Sequence, residues 1–376
     1  MTSKASHYST ASPSREEERK KKPPAEPRPS SSIVLLSPTN QVLLLHRVKT
    51  SSSFASAHVF PGGNLSGFHD GPVPPPGELA RHEDGPAYRL GAVRETFEES
   101  GILLARRKGR GDAGLLSLPA AERDAARKRI YANEVPFGDW LESVGGEADL
   151  ENLRPFTRWI TPPATPKRFT TQMYLYMLPL APDEAAATPS DLTSAAMQSE
   201  AVLPTPDGTE TTTAVFEDAS TWLARQRRGE IILFPPQAFL LTLIAQFCKG
   251  SPSEKSRENA HYKDQRDSLL SFLQETPTAT HPKALKQATS NISWADKVIS
   301  PVTSLVRPDG RVVLSLDKPG PELRGSGRGG DWERVVLVRF AKGTATEVEV
   351  MDREEVFQEE RERVEREGKK EEGAKL

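Results

Sequence analysis

The sequence predicts an α/β domain followed by a small β-rich extension. Three observations carry this. Short apolar runs at 33–36, 41–47, 158–161 and 172–178 read as strands, the last rich in aromatic and β-branched residues and stopped by Pro179. Segments near 88–100, 120–131, 137–144, 219–228 and 237–249 read as helices, with Leu240, Leu243, Ile244 and Phe247 at helical spacing. Farther on, 312–316, 334–340 and 346–351 alternate like strands around the glycine-rich stretch 325–330.

The elements follow in order. Residues 1–31 are Ser, Pro, Lys and Glu with almost nothing apolar, so they cannot offset their ordering entropy and predict a disordered tail. The main domain is expected over 32–250. Its first two strands are separated by Ser37, Pro38, Thr39 and Asn40, a hairpin pattern. Residues 54–60 lead into Pro61, Gly62 and Gly63, and a Gly/Pro-rich stretch, 66–86, reads as an inserted loop before helix resumes at Tyr88. A strand at 212–216 precedes the two helices that cover the sheet. The polar stretch 251–289 reads as a linker with a short helix near 268–273, and 290–352 as the β-rich extension. Residues 353–376, dominated by Glu, Arg and Lys, predict a solvated helix or a disordered tail.

Composition narrows the function classes. The 376 residues carry 50 basic and 52 acidic side chains, so no global field draws the chain to nucleic acid or an anionic membrane. Cys248 is the only cysteine, which excludes an intrachain disulfide or a cysteine-built zinc site and fits a reducing compartment. No apolar run reaches the roughly 18 to 20 residues of a membrane span, and no apolar signal-peptide core opens the chain. A soluble, unsecreted protein is expected.

The segment 90–102 carries the chemistry. At about 100° per residue, Leu90, Val93 and Phe97 share one side of a helix while Glu95, Glu98 and Glu99 fall nearly opposite. Carboxylates crowded within one turn repel one another unless a cation compensates, and Mg²⁺, a hard ion with oxygen ligands, is the expected one. Gly101 sits where a left-handed helix cap is wanted, and Gly62 and Gly63 follow a strand where backbone can approach a metal.

Residues Arg94, Glu95, Thr96, Phe97, Glu98, Glu99, Ser100, Gly101 and Ile102 resemble the second half of the Nudix box, and Gly62 and Gly63 its start. That resemblance implies an α/β/α sandwich with a mixed sheet. It implies Glu98 and Glu99 as metal ligands, Glu95 as ligand or base, a Gly62 carbonyl at the metal, and Arg94 as an orienting ion-pair partner. Two departures are visible. Pro86 stands eight residues before Arg94, where the box has a glutamate, leaving Glu78 or Glu83 as replacement partners, and Thr96 replaces an aliphatic residue. The run Leu43 to His46 with Arg47, the stretch Ala57 to Gly63, Trp159 to Pro162, Pro166 to Thr171 and Pro235-Pro236-Gln237 resemble the peroxisomal coenzyme A diphosphatases that carry a long insertion in the box.

The resemblance implies a Mg²⁺-dependent hydrolase, with Mn²⁺ as the alternative ion, that cleaves coenzyme A or its acyl derivatives to 3′,5′-adenosine diphosphate and a phosphopantetheine. Glu210 is the distal candidate for the base. An adenine 3′-phosphate needs local positive charge, for which His46, Arg47, Lys49, Lys167 and Arg168 are the candidates. A nucleoside diphosphate-sugar or dinucleotide pyrophosphatase is the alternative enzyme, and a non-catalytic scaffold for protein partners the alternative class. Ala374, Lys375 and Leu376 resemble a peroxisomal carboxy-terminal address, which implies an import receptor as partner, with the cytoplasm as the alternative location.

Overall fold

The computed structural model describes residues 24–48, 55–109, 114–180, 203–208, 210–252, 258–341 and 344–373. Most of the expected disordered tail, Lys49, and Ala374, Lys375 and Leu376 lie outside the described residues. Strands β1 (Arg28–Leu36) and β2 (Val42–Arg47) form the expected hairpin, turned by Ser37 Oγ accepting the N–H groups of Thr39 and Gln41 at 3.2 and 3.0 Å. β1 starts ahead of its apolar run because its serines have partners: Ser30 Oγ meets Thr171 Oγ1 at 2.7 Å and Ser32 Oγ donates to the Pro61 carbonyl at 2.7 Å. The chain then adds β3 (His58–Val59), β4 (Gly62–Asn64), β5 (Ala105–Arg107), β6 (Gly146–Ala148), β7 (Arg154–Ile160), β8 (Phe169–Met177), β9 (Thr211–Glu217) and β10 (Val298–Ile299).

All of these except the β5–β6 pair join one mixed sheet, ordered β10-β7-β8-β1-β2-β3, with β4 on β1 and β9 on β2. The β1–β8 and β7–β10 pairs are parallel and the others antiparallel. Side chains alternate across it. Ile33, Leu35, Leu43 and Leu45 pack against α1 (Pro86–Ser100), α2 (Ala120–Tyr131) and α3 (Phe137–Ser143). Val34, Leu36, Val42 and Leu44 pack against α4 (Ala219–Arg227), α5 (Pro235–Ile244) and α6 (Glu258–Gln274). The expected α/β/α sandwich is present.

The expected β-rich extension is present and shares the domain's core. After the short α7 (Pro282–Leu285), strands β11 (Val302–Val306), β12 (Val312–Leu316), β13 (Asp331–Ala341) and β14 (Thr344–Asp352) form a second, antiparallel sheet. Its Leu314, Leu316, Val336, Val338 and Val348 join the same apolar cluster as Phe239, Leu240 and Leu243 of α5. Helix α5 therefore lies between two sheets, which is why its sequence is apolar nearly all round. The other face of the second sheet, Val313, Val335 and Leu337, packs on Val356 of α8 (Arg353–Gly373), so the charged C-terminal segment is anchored at its start.

The linker expected at 251–289 is corrected. Helix α6 buries Tyr262, Leu269 and Leu273, and Arg266 donates from Nε to Asn40 Oδ1 at 2.6 Å and from its two Nη atoms to the Leu178 and Ser37 carbonyls at 2.8 Å. A guanidinium so satisfied joins the first hairpin, β8 and α6. Among the described residues no helix is long and apolar enough to cross a membrane.

Arg168, expected to bind substrate phosphate, is buried instead. It pairs with Glu322 at 2.5 Å and donates to the Thr161 and Ala25 carbonyls at 2.9 and 2.8 Å. Its charge fastens the extension to the turn before β8. Breaking a buried pair from one side leaves an uncompensated charge, so Glu322→Ala is expected to lower stability by about 3 kcal/mol in chemical denaturation. A variant as stable as the parent protein would show that this bridge does not hold the extension.

Candidate active site

Helix α1 begins with Pro86 in its first turn and ends at Gly101, whose φ of 73° and N–H bond to the Phe97 carbonyl form the expected left-handed cap. Val93 and Phe97 pack into the core, as their spacing predicts. Thr96 is also buried, and its hydroxyl is satisfied by the Ala92 carbonyl one turn back, at 2.8 Å. The opposite face of the helix does not meet open solvent. Glu95, Glu98 and Glu99 line a cavity of about 330 Å³ that also receives Asn64, Ser66, His69, Tyr131, Asp207 and Glu210.

Arg94 organises this face. Its Nε and Nη2 donate to the two oxygens of Asp70, both at 2.9 Å, and Nη2 also reaches the Asn64 carbonyl at 3.0 Å. Nη1 lies 2.9 Å from Glu95 and 3.1 Å from Glu98. The partner expected at Glu78 or Glu83 is therefore Asp70, which the insertion folds back to deliver. Asp70 also accepts the Ser66 N–H at 2.8 Å. The insertion is itself tied down: Arg81 donates to the Pro74 and Pro27 carbonyls at 2.5 and 3.3 Å. His82 is buried against Thr170 at 3.0 Å, and burial, with help from Arg158, lowers its pKa to about 4.

Glu99 is held from two sides. Its Oε2 accepts the Gly62 N–H at 2.9 Å and its Oε1 faces Arg47 Nη1 at 3.3 Å. Gly62 thus meets the box through its N–H, and a side chain there would strike the Ser31 carbonyl at 2.4 Å. Gly63 lies so close to Glu95 that a Cβ would come within 2.5 Å of its carboxylate. These contacts explain the glycine pair: Gly62 passes against the β1 backbone and Gly63 against the Glu95 carboxylate.

Burial disfavours the charged form of all three glutamates. It pushes Glu95 up to about 7, against the pull of Arg94 and with added repulsion from Glu98. Burial raises Glu98, with Arg94 opposing. Burial and then Glu95 raise Glu99 well above the usual carboxylate range, although Gly62 and Arg47 oppose them. Among the described residues no three His, Cys, Asp or Glu side chains converge as a ready cation cage, because these oxygens are turned toward Arg94, Gly62 and Arg47. The donor set nonetheless fits a hard divalent ion: buried oxygen ligands whose mutual repulsion a cation would relieve.

Of the other expected residues, Glu210 does reach the cavity, placed by a turn in which Asp207 Oδ1 accepts the N–H groups of Glu210 and Thr211 at 2.8 and 3.0 Å. Its carboxylate pairs with Arg47 at 2.7 Å. His46 instead stacks on His58 at 4.7 Å and bonds Thr212 at 2.8 Å, and neither it nor the exposed Lys167 lines the cavity. Sequence reasoning missed His69 and Asn133. His69 Nδ1 accepts the Phe137 N–H at 3.1 Å, so its Nε2 carries the proton donated to Asn133 Oδ1 at 3.0 Å, joining the insertion to the end of α2. It missed Asp207 and Tyr131 as well, since nothing in local spacing ties either to the glutamate helix.

Residues 80–242 match the family model described as the NUDT19 Nudix domain. The acyl-coenzyme A diphosphatase NUDT19 of Gallus gallus is 28% identical over 251 residues, which are 55% of this chain and 61% of that protein. A nudix hydrolase of Caenorhabditis elegans is 27% identical over 146 residues, 39% of this chain and 42% of that one. The chain thus spans less than two thirds of the length of either relative. A solved Nudix hydrolase from Alicyclobacillus acidocaldarius aligns with a TM-score of 0.44 at 23% identity, covering 59% of this chain and 93% of that structure.

Proposed function

We propose, from the premise that this chain belongs to the Nudix hydrolase superfamily and within it to the NUDT19-like branch, that it hydrolyses the diphosphate bond of coenzyme A or acyl-coenzyme A with Mg²⁺ or Mn²⁺. The observation that carries the reading is that Glu95, Glu98 and Glu99 from one helix and Glu210 from a distant loop line a single cavity. The metal would be held by these box glutamates, and when bound it offsets the charge that develops on the diphosphate oxygens and activates water.

The protein's own groups do the rest. Arg94, locked by Asp70, fixes the rotamers of Glu95 and Glu98. Glu95, raised by burial toward neutral pH, suits a group that accepts a proton from water, and Glu210 across the cavity is the second candidate for that role. Arg47 offers a planar fork to the anionic substrate, with exposed Lys167 and His46, both outside the cavity lining, as the candidates for the adenine 3′-phosphate.

The test is a panel of coenzyme A, acyl-coenzyme A, NADH, ADP-ribose and UDP-glucose, with products resolved in the presence and absence of Mg²⁺. Release of 3′,5′-adenosine diphosphate only with the divalent ion is the expected result. Preferred cleavage of NADH, ADP-ribose or UDP-glucose would replace the substrate, and no turnover of any of them would point to a non-catalytic scaffold.

A further inference from the structure

Arg47 stands where β2 and β9 lose register. His46 is paired with Thr213 but Arg47 with Thr211, so a bulge at Thr212 interrupts the ladder. Bulges beside a site re-aim the neighbouring side chain. The backbone here is pinned: Arg47 donates its N–H to the Ala57 carbonyl at 3.0 Å and Val48 donates to the Glu210 carbonyl at 2.9 Å. From that fixed base the guanidinium bridges two carboxylates that belong to different elements, Glu99 at 3.3 Å and Glu210 at 2.7 Å. Both oxygens of each carboxylate are engaged. Glu99 has Gly62 on its other oxygen, and Glu210 has the Tyr131 hydroxyl at 3.4 Å on its other one.

We propose that Arg47 is a built-in competitor for the divalent ion, which must release Glu99 and Glu210 before the metal is fully held and is then presented to the diphosphate. The inference rests on the reading that the box glutamates hold a metal. A guanidinium and a divalent cation at the same oxygens repel each other, and an arginine cannot discharge itself by losing a proton in a protein. It has to move. Its side chain is long and partly buried, and its backbone is held by Ala57, so release leaves a positive charge beside the two carboxylates that line the cavity. The order of events follows: metal enters first, and its arrival frees the arginine that helps bind substrate. Arg94, by contrast, keeps Asp70 as a dedicated partner and has no need to leave.

The test measures Mn²⁺ binding to the full chain, without substrate, from the electron paramagnetic resonance signal of the free ion. Parent protein, Arg47→Met, Arg47→Lys and Glu98→Gln are compared, followed by KM and kcat for coenzyme A. The proposal expects Arg47→Met to bind Mn²⁺ about 10-fold more tightly while KM rises about 10-fold, with Arg47→Lys between, because a single ammonium cannot bridge two carboxylates. Unchanged or weaker Mn²⁺ binding in Arg47→Met would overturn it, since Arg47 would then be organising the carboxylates for the metal. Should Arg47→Met fail to fold, Arg47→Lys decides by the same sign of change. If the parent protein binds no more Mn²⁺ than Glu98→Gln, the metal reading of the glutamates itself fails and takes this inference with it.

Discussion

Glu99→Gln is expected to lower Mg²⁺-dependent kcat/KM by on the order of 100-fold or more, about 2.7 kcal/mol of transition-state stabilisation, while the protein stays folded. The substitution keeps the shape of the side chain, and the amide oxygen still accepts the Gly62 N–H now made to Oε2 at 2.9 Å. What it removes is the charge. Because burial and Glu95 both disfavour that charge in the folded protein, its loss costs the fold little: the residue's strain serves the site. Turnover at saturating Mg²⁺, read beside a thermal melt, separates the two effects. A variant with near-normal turnover would remove Glu99 from the ligand set, and one that melts far below the parent would make its role structural.

The helix that bears Glu99 was legible because its chemistry and its packing share one period. Val93 and Phe97 point to the core and the glutamates away from it, and Gly101 supplies the left-handed cap. Strands whose faces are both apolar, such as 33–36, were legible for a similar reason. What escaped was structure that depends on partners remote in sequence. The serines at the start of β1 look like tail until Thr171 and Pro61 satisfy them. Helix α6 shows so much charge that it reads as linker, yet buried Arg266 binds Ser37 and Asn40 of the first hairpin and the Leu178 carbonyl, three acceptors that no local pattern announces. Arg168 illustrates the opposite case: a basic residue in a run that suggests a ligand is given by burial to Glu322. In each case the deciding term is desolvation, which depends on the three-dimensional surroundings.

Asp70 is the sharpest example, and it carries the largest expected effect on stability. It lies 24 residues before Arg94, within the insertion, so box spacing could not find it. Its side chain is fully buried and that of Arg94 is 4% exposed, joined by a two-bond fork. Asp70→Asn replaces an acceptor with an amide N–H facing a guanidinium N–H, leaving the arginine short of its main counter-charge. Loss of one partner of a buried pair costs about 3 to 5 kcal/mol, or roughly 10 °C in melting temperature for a domain of this size. Activity should fall with it, for a second reason. Arg94 also touches Glu95 and Glu98 at 2.9 and 3.1 Å, and without Asp70 those are the charged partners left to it among the described residues, drawing the guanidinium onto the oxygens proposed for the metal. The variant is therefore expected to need more Mg²⁺ for half-maximal turnover even well below its melting temperature. Glu78→Ala and Glu83→Ala supply the controls, because both side chains are exposed and the Glu83 carboxylate meets Arg328 at the rather long distance of 3.6 Å. If Asp70→Asn melts with the parent protein while Glu83→Ala does not, the insertion serves Arg94 through a different residue, and the brace assigned to Asp70 is wrong.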